Sequence, residues 1–377
     1  MNRRAVLAGL VGCSAAASPL LTPVTLAQAP GDARLVVLVL RGAMDGLDAV
    51  RPVGDPAYAS LRPTLGQGGL PLDGFWALHD GLAPLRPLWD AGEAGAVHAV
   101  STPYRDGRSH FDGQDVLEAG AGEGGLAGLR DGWLNRALSL MPGARAETAY
   151  AVGRETMLIL SGDAPHMSWS PDARLRLSPQ ARRLLLQVHH EDPLFREASE
   201  DALALVDALA EGEQGAGHLD LARFVAGRLR EETRVASFSL GGWDTHGGQA
   251  AALRAALGRL GATILELRDG LGPVWDRTAV LCLTEFGRTA RENGTGGTDH
   301  GTGGALLFAG GALRGGRVLG EWPGLQTLLD DRDLAPTRDV RAHAGSLLAG
   351  LFGLDRAGIE GTVFPGLDLG DDPGLLR

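Results

Sequence analysis

The chain has 377 residues and a formal net charge of −11, with 46 acidic against 35 basic side chains. That balance argues against nucleic acid or an acidic membrane as a partner, because both reward clustered Lys and Arg. Its 57 glycines and 20 prolines stay below the ~25–30% of low-complexity chains, so a sizeable core with many turns is expected.

Arg3 and Arg4 precede an uncharged, Ala- and Leu-rich stretch that ends at Ala27-Gln28-Ala29, a small-residue cleavage pattern. Residues 1–29 therefore read as a twin-arginine signal peptide. The reading brings the twin-arginine export machinery in as a partner and a periplasmic or otherwise exported location. Pro19 and Pro23 interrupt the stretch, so no stable membrane span is expected. Leu10-Val11-Gly12-Cys13 offers a weaker alternative, a lipoprotein box that would leave Cys13 lipidated. Loss of Arg3 and Arg4 with the leader would move the formal net charge from −11 to −13. It would also leave Cys282 as the one cysteine, which cannot form an internal disulfide and reads as a buried, inert thiol. No long Pro-, Ser- or charge-rich linker divides residues 30–377, which read as one domain.

Residues 35–40 are a continuous apolar run closed by Arg41-Gly42, the pattern of a strand buried on both faces. Similar runs recur at 95–100, 234–240, 278–284 and 304–309. Between them lie segments of helical period: 194–210, with Leu203, Val206 and Leu209 on one face, then 219–232, and 253–268, with Leu253, Leu257, Leu260 and Ile264. Strands alternating with helices predict the α/β class, a three-layer α/β/α sandwich with a mainly parallel central sheet.

In such sheets working residues collect beyond the carboxyl ends of strands. Those positions here hold Asp45 and Asp48 after the first strand, Ser109, His110 and Asp112 after the second, and Asp244 and His246 after the 234–240 strand. Glu285 and Arg288 follow the next, and Asp299 and His300 come soon after. Imidazoles and carboxylates on several strand ends can converge on one divalent metal, and Asp244, His246, Glu285, Asp299 and His300 are the candidates. The competing reading is that Asp and His beside Gly and Thr cap helices or bond loop backbone. Ser109 reads equally as an activated nucleophile, with Arg105 or Arg108 steadying a substrate anion, and as a helix N-cap. His110 reads as sharing that chemistry or as orienting Asp112 or the loop. Arg288 reads first as an ion-pair partner and second as a substrate clamp. The remaining histidines, His79, His98, His166, His189, His190, His218 and His343, show no ligand spacing.

The set of Arg41-Gly-Ala-Met-Asp-Gly-Leu47, Arg108-Ser-His-Phe-Asp112, Gly241-Gly-Trp-Asp-Thr-His246, Thr284-Glu-Phe-Gly-Arg-Thr289, Gly297-Thr-Asp-His-Gly301 and Gly320-Glu-Trp-Pro-Gly-Leu325, behind a twin-arginine leader, resembles the bacterial "domain of unknown function 1501" family. That family is similar to a distant branch of the alkaline phosphatase and sulfatase superfamily, which implies an α/β/α sandwich, one or two metals and a Ser, Thr or Cys nucleophile. The resemblance carries the first-strand aspartate onto Asp45, the nucleophile onto Ser109 or His110, and metal ligands onto Asp244, His246 and His300. One departure stands out. The superfamily's late Asp-His-Gly turn is here Glu285-Phe286-Gly287, which keeps a carboxylate and loses a metal-binding imidazole. The resemblance thus implies a metal-dependent hydrolase of small anionic esters, phosphate or sulfate, with Zn, Mn, Mg or Ca as the ion. In it Ser109, His110 and Arg288 would act on substrate, and Asp45, Asp244, His246, Glu285, Asp299 and His300 would supply the metal shell. The alternative is a binding or assembly protein that kept the fold and lost the chemistry.

Overall fold

The computed structural model describes residues 32–105, 107–126, 128–153, 157–171 and 217–377. The segment read as a leader, with Arg3, Arg4 and Cys13, the segment of helical period at 194–210, and His189 and His190 lie outside the described residues.

The apolar runs form strands because their side chains are buried on both faces. The described strands are β1 (Arg34–Arg41), β2 (Val50–Arg51), β3 (Leu70–Pro71), β4 (Ala77–Leu78), β5 (Ala94–Ser101) and β6 (Ala149–Val152). They continue with β7 (Met167–Trp169), β8 (Val235–Gly241), β9 (Thr278–Leu283), β10 (Gly304–Ala309), β11 (Val318–Leu319) and β12 (Arg338–Asp339). Nine of them make one sheet in the order β11-β5-β10-β9-β1-β8-β6-β7, with β12 also on β5. All its pairings are parallel except those of β10, which runs antiparallel to both β5 and β9. Strands β2, β4 and β3 form a small separate sheet.

The longer helices among the described residues are α1 (His110–Ala119), α2 (Trp133–Leu140), α3 (His218–Leu229), α4 (Gln249–Leu271) and α5 (Val340–Phe352). They cover both faces, and the period of two in β1 assigns the layers. Val36, Leu38 and Leu40 pack in the core that holds Val225 of α3 and Leu253, Leu257, Leu260 and Ile264 of α4. Leu35, Val37 and Val39 pack in the opposite core with Trp133 and Leu134 of α2 and Leu347 and Leu348 of α5. Each such aliphatic side chain contributes roughly 1.5–3 kcal/mol on burial. The predicted three-layer α/β architecture is therefore the observed one. Cys282 sits buried and free on β9, where burial pushes its thiol pKa up. No described helix is long and apolar enough to cross a membrane.

His343 is buried on α5, and among the described residues neither ring nitrogen has a hydrogen-bond partner. Burial, aided by Arg338, pushes its pKa down to about 3. An unfolded histidine titrates near ~6.5, so between those values the unfolded chain binds the extra proton. The neutral ring's contribution is complete above pH ~6.5 and is lost as the pH falls toward the folded value. A His343→Leu variant should lose this acid sensitivity. In urea unfolding at pH 8 and pH 5, the wild-type chain should weaken between the two by up to about 2 kcal/mol more than the variant.

Candidate metal centre

Strands β5, β9, β1 and β8 all point the same way, so the loops that leave them share one edge of the sheet. Because β10 runs against them, the loop that enters it, carrying Asp299 and His300, reaches the same edge. The stretch from β9 to β10 is one loop, so four loops distant in sequence meet.

Arg288 fastens three of them. It is 1% exposed, and its Nε donates to the carbonyl of Ala43 at 2.9 Å. Nη1 donates to the carbonyl of Thr298 at 3.0 Å, and Nη2 to those of Gly42 at 2.9 Å and Trp243 at 3.1 Å. Nη2 also reaches Asp244 Oδ1 at 2.6 Å. This is the ion-pair role that the sequence puts first, here with four loop carbonyls added. The loops approach so closely that Gly42, at φ 119, would place any Cβ 2.6 Å from the Asp244 amide. The next residue, Ala43, also sits at positive φ, 57.

Three imidazoles point one nitrogen each at Asp244. His110 Nε2 lies 3.3 Å from Oδ2, and His246 Nε2 and His300 Nε2 lie 3.2 and 3.5 Å from Oδ1. Each ring is held from behind. His110 Nδ1 meets Glu285 Oε1 at 2.8 Å, His246 Nδ1 meets Asp299 Oδ1 at 3.0 Å, and His300 Nδ1 meets the Arg108 carbonyl at 2.7 Å. Carbonyl and carboxylate oxygens only accept, so all three Nδ1 atoms carry the proton. In the neutral rings the Nε2 lone pairs then face inward, and those of His246 and His300 stand 2.9 Å apart. Two lone pairs at that distance repel unless a proton or a metal ion is shared between them. Backing a ligand's outer nitrogen with an acceptor is also how metal-binding histidines are oriented. The ligand atoms of His110, Asp244 and His300 lie within 4.8 Å of one another.

The electrostatics agree. Burial alone would raise the Glu285 pKa, but hydrogen bonds from His110, from the Gln114 amide at 3.2 Å and from the Gly42 amide at 2.9 Å hold it below the ordinary value. The same bond to Glu285 raises the pKa of His110, with Asp244 adding to it against burial. Asp244 is lowered because Arg288, then His110 and His246, outweigh its partial burial. Burial lowers His300. A ring wedged between two ionised carboxylates marks a place where positive charge is favoured. Phe286 packs against both rings, stacked 5.2 Å from His110 and tilted 5.1 Å from His300, centroid to centroid.

The expected residues fall into three groups. Asp244, His246 and His300 face the centre, and His110 joins them; its ring is turned to Glu285 and Asp244 and not to Asp112. Glu285 and Asp299, expected as ligands, stand behind as acceptors for His110 and His246. Asp45 is a correction: it is fully buried and faces the core, its oxygens held by Arg62 Nη1 at 2.7 Å, Arg62 Nη2 at 3.2 Å and Gln249 Nε2 at 2.7 Å. It also caps the short helix Gly46–Ala49. Ser109 caps α1, its Oγ accepting from the Asp112 amide at 3.4 Å, and no described histidine or carboxylate hydrogen-bonds to it as a base would. Sequence reasoning missed Gln114, Arg62, Gln249 and the Arg108 carbonyl. Only Gln114 carried a signal, four residues after His110 on the same helical face. A separate cleft of about 840 Å³, lined by Thr102, Arg105, Arg338 and Arg341 among others, contains none of the clustered histidines.

Fold and site together describe an α/β protein whose histidine-rich candidate metal centre sits at the carboxyl edge of a mainly parallel sheet. The chain belongs to the family described as protein of unknown function DUF1501, whose model matches residues 97–344. No curated protein matches it. Solved structures similar to it include the C-terminal periplasmic domain of EcEptC from Escherichia coli in complex with Zn, at 7% identity and TM-score 0.46 over 93% of each chain. Another is a protein in the alkaline phosphatase superfamily from Vibrio parahaemolyticus, at 14% identity and TM-score 0.38 over 85% of this chain and 66% of that one. A third is BT1596, a 2-O GAG sulfatase, at 10% identity and TM-score 0.40 over 86% of this chain and 71% of that one.

The cap assigns Ser109 a structural cost on removal. Ser109→Ala should destabilise the protein by about 1 kcal/mol in denaturant unfolding and leave its metal content, read by elemental analysis, at the wild-type level.

Proposed function

We propose that this protein is a metal-dependent hydrolase of anionic esters, phosphate or sulfate, with one divalent ion held by His110, His246, His300 and Asp244. The observation that carries the reading is the convergence of three histidine Nε2 atoms on one carboxylate while every Nδ1 is fixed by an acceptor. Three imidazoles and one carboxylate suit Zn or Mn better than Mg or Ca, which favour all-oxygen shells. Such an ion supplies Lewis acidity toward an ester oxygen and lowers the pKa of water.

The chain's own groups prepare the place. Arg288 fixes Asp244, Glu285 and Asp299 fix the tautomers of His110 and His246, and the Phe286 ring stacks on His110. Phe286, standing where the superfamily has an imidazole, supports one ion in place of two. With Ser109 engaged as a cap, water is the attacking group in this reading. Export through the twin-arginine route would place the activity outside the cytoplasmic membrane, and the leader at 1–29 supports that location.

One observation favours the second reading, a binding or assembly protein. The centre is open, with the Asp244, His246 and Asp299 side chains 45, 47 and 51% exposed, whereas catalytic sites commonly exclude water.

Elemental analysis of natively purified protein, never exposed to chelator, should find close to one equivalent of Zn or Mn, and an Asp244→Ala, His246→Ala double variant should find none. Loaded protein should then cleave a phosphate or sulfate ester, and chelation should abolish turnover. Metal without turnover on either class would favour the binding protein; no metal in the wild-type chain would overturn both.

A further inference from the structure

Two side chains beside the centre are costly in ways the fold does not explain. Arg108 lies in the left-handed region at φ 45, a conformation that disfavours every L-residue relative to glycine. Its backbone has a role there, since its carbonyl holds His300, but glycine would perform that role with less strain. Its guanidinium is exposed and makes no hydrogen bond or ion pair among the described residues. The neighbouring arginines are occupied: Arg288 is buried on loop carbonyls, and Arg105 folds back on Ser101, Thr102 and Tyr104. Phe111, the residue after His110, is 81% exposed, far more than any other large hydrophobic side chain described. An isolated exposed Phe needs no explanation. One set in the first turn of α1, next to a residue of the centre and three positions from a strained, unpaired arginine, calls for one.

We propose that Arg108 and Phe111 form the substrate-binding rim of the centre. Arg108 takes the non-reacting oxygens of a tetrahedral oxyanion, for which its planar fork is suited. Phe111 takes a flat or ring-shaped group attached to that oxyanion, by stacking. The inference rests on the hydrolase reading and narrows its substrate to esters of aryl or ring-bearing alcohols.

Binding of methylphosphonate and phenylphosphonate to the full chain loaded with Zn²⁺, followed by calorimetry, separates the two parts. Neither compound has an ester bond to cleave. Wild-type protein should bind phenylphosphonate roughly three- to tenfold more tightly than methylphosphonate, and Phe111→Ala should bring that ratio to about one with methylphosphonate affinity unchanged. Arg108→Gly, which keeps the positive φ and the carbonyl on His300, should weaken both compounds at least about tenfold. Both variants should retain wild-type metal content, which reports that the centre is intact. A wild-type ratio near one, a ratio that survives Phe111→Ala, or unchanged affinity in Arg108→Gly overturns the rim while leaving the hydrolase reading in place. Failure of metal-loaded wild-type protein to bind either phosphonate overturns both.

Discussion

The arrangement at the sheet edge depends on a single buried guanidinium. Taking a charge out of water costs several kcal/mol unless it is paired and hydrogen-bonded, and Arg288 meets that condition by gathering carbonyls from Gly42, Ala43, Trp243 and Thr298 together with the Asp244 carboxylate. A lysine could offer neither the planar fork nor the spread of donors. Because the acceptors belong to different loops, satisfying one arginine fixes all of them at once. The amide of Gly42 is thereby set against Glu285, and Asp244 is set against the three imidazoles.

Around that anchor the polar groups divide by depth. Asp45 and Arg62 form a fully buried pair beneath the loops, supported by Gln249, which also meets Asp48 and Thr298. This lower network neutralises its own charge and holds the backbone. The upper group does the opposite: Glu285, Asp244 and Asp299 surround histidines whose free nitrogens face one another. Local charge balance is thus complete below and left open above, and the opening is where a cation would lie.

Much of the architecture was legible in the sequence. Continuous apolar runs at 35–40, 95–100, 278–284 and 304–309 can be buried only as interior strands, and β1, β5, β9 and β10 lie there. The loops that hold the candidate centre were also legible, because polar residues beside glycine after such strands have few other places to go. Roles were harder to read, for physical reasons. Whether a carboxylate faces a ligand or backs a histidine depends on a rotation set by partners far away in sequence. Arg62 draws Asp45 inward, and His110 occupies Glu285. The positive φ of Ala43 and Arg108 redirects the chain in a way that non-glycine residues do not announce. Ser109 and His110 differ by one position at a helix start, where serine's preference for the cap leaves the histidine to point into the site.

The reversed strand β10 also bears on how the protein reaches its native state. The residues that face the centre stand at 110, 244, 246 and 300, and they meet only when β5, β10, β9, β1 and β8 are all in register. Only Asp244 and His246 lie close together in the chain, and His110 and His300 are brought to them by the sheet. Long-range strand pairing is the slow part of folding in such topologies, so the gathering of imidazoles around Asp244 belongs to the final step of assembly and is a signature of a completely formed sheet.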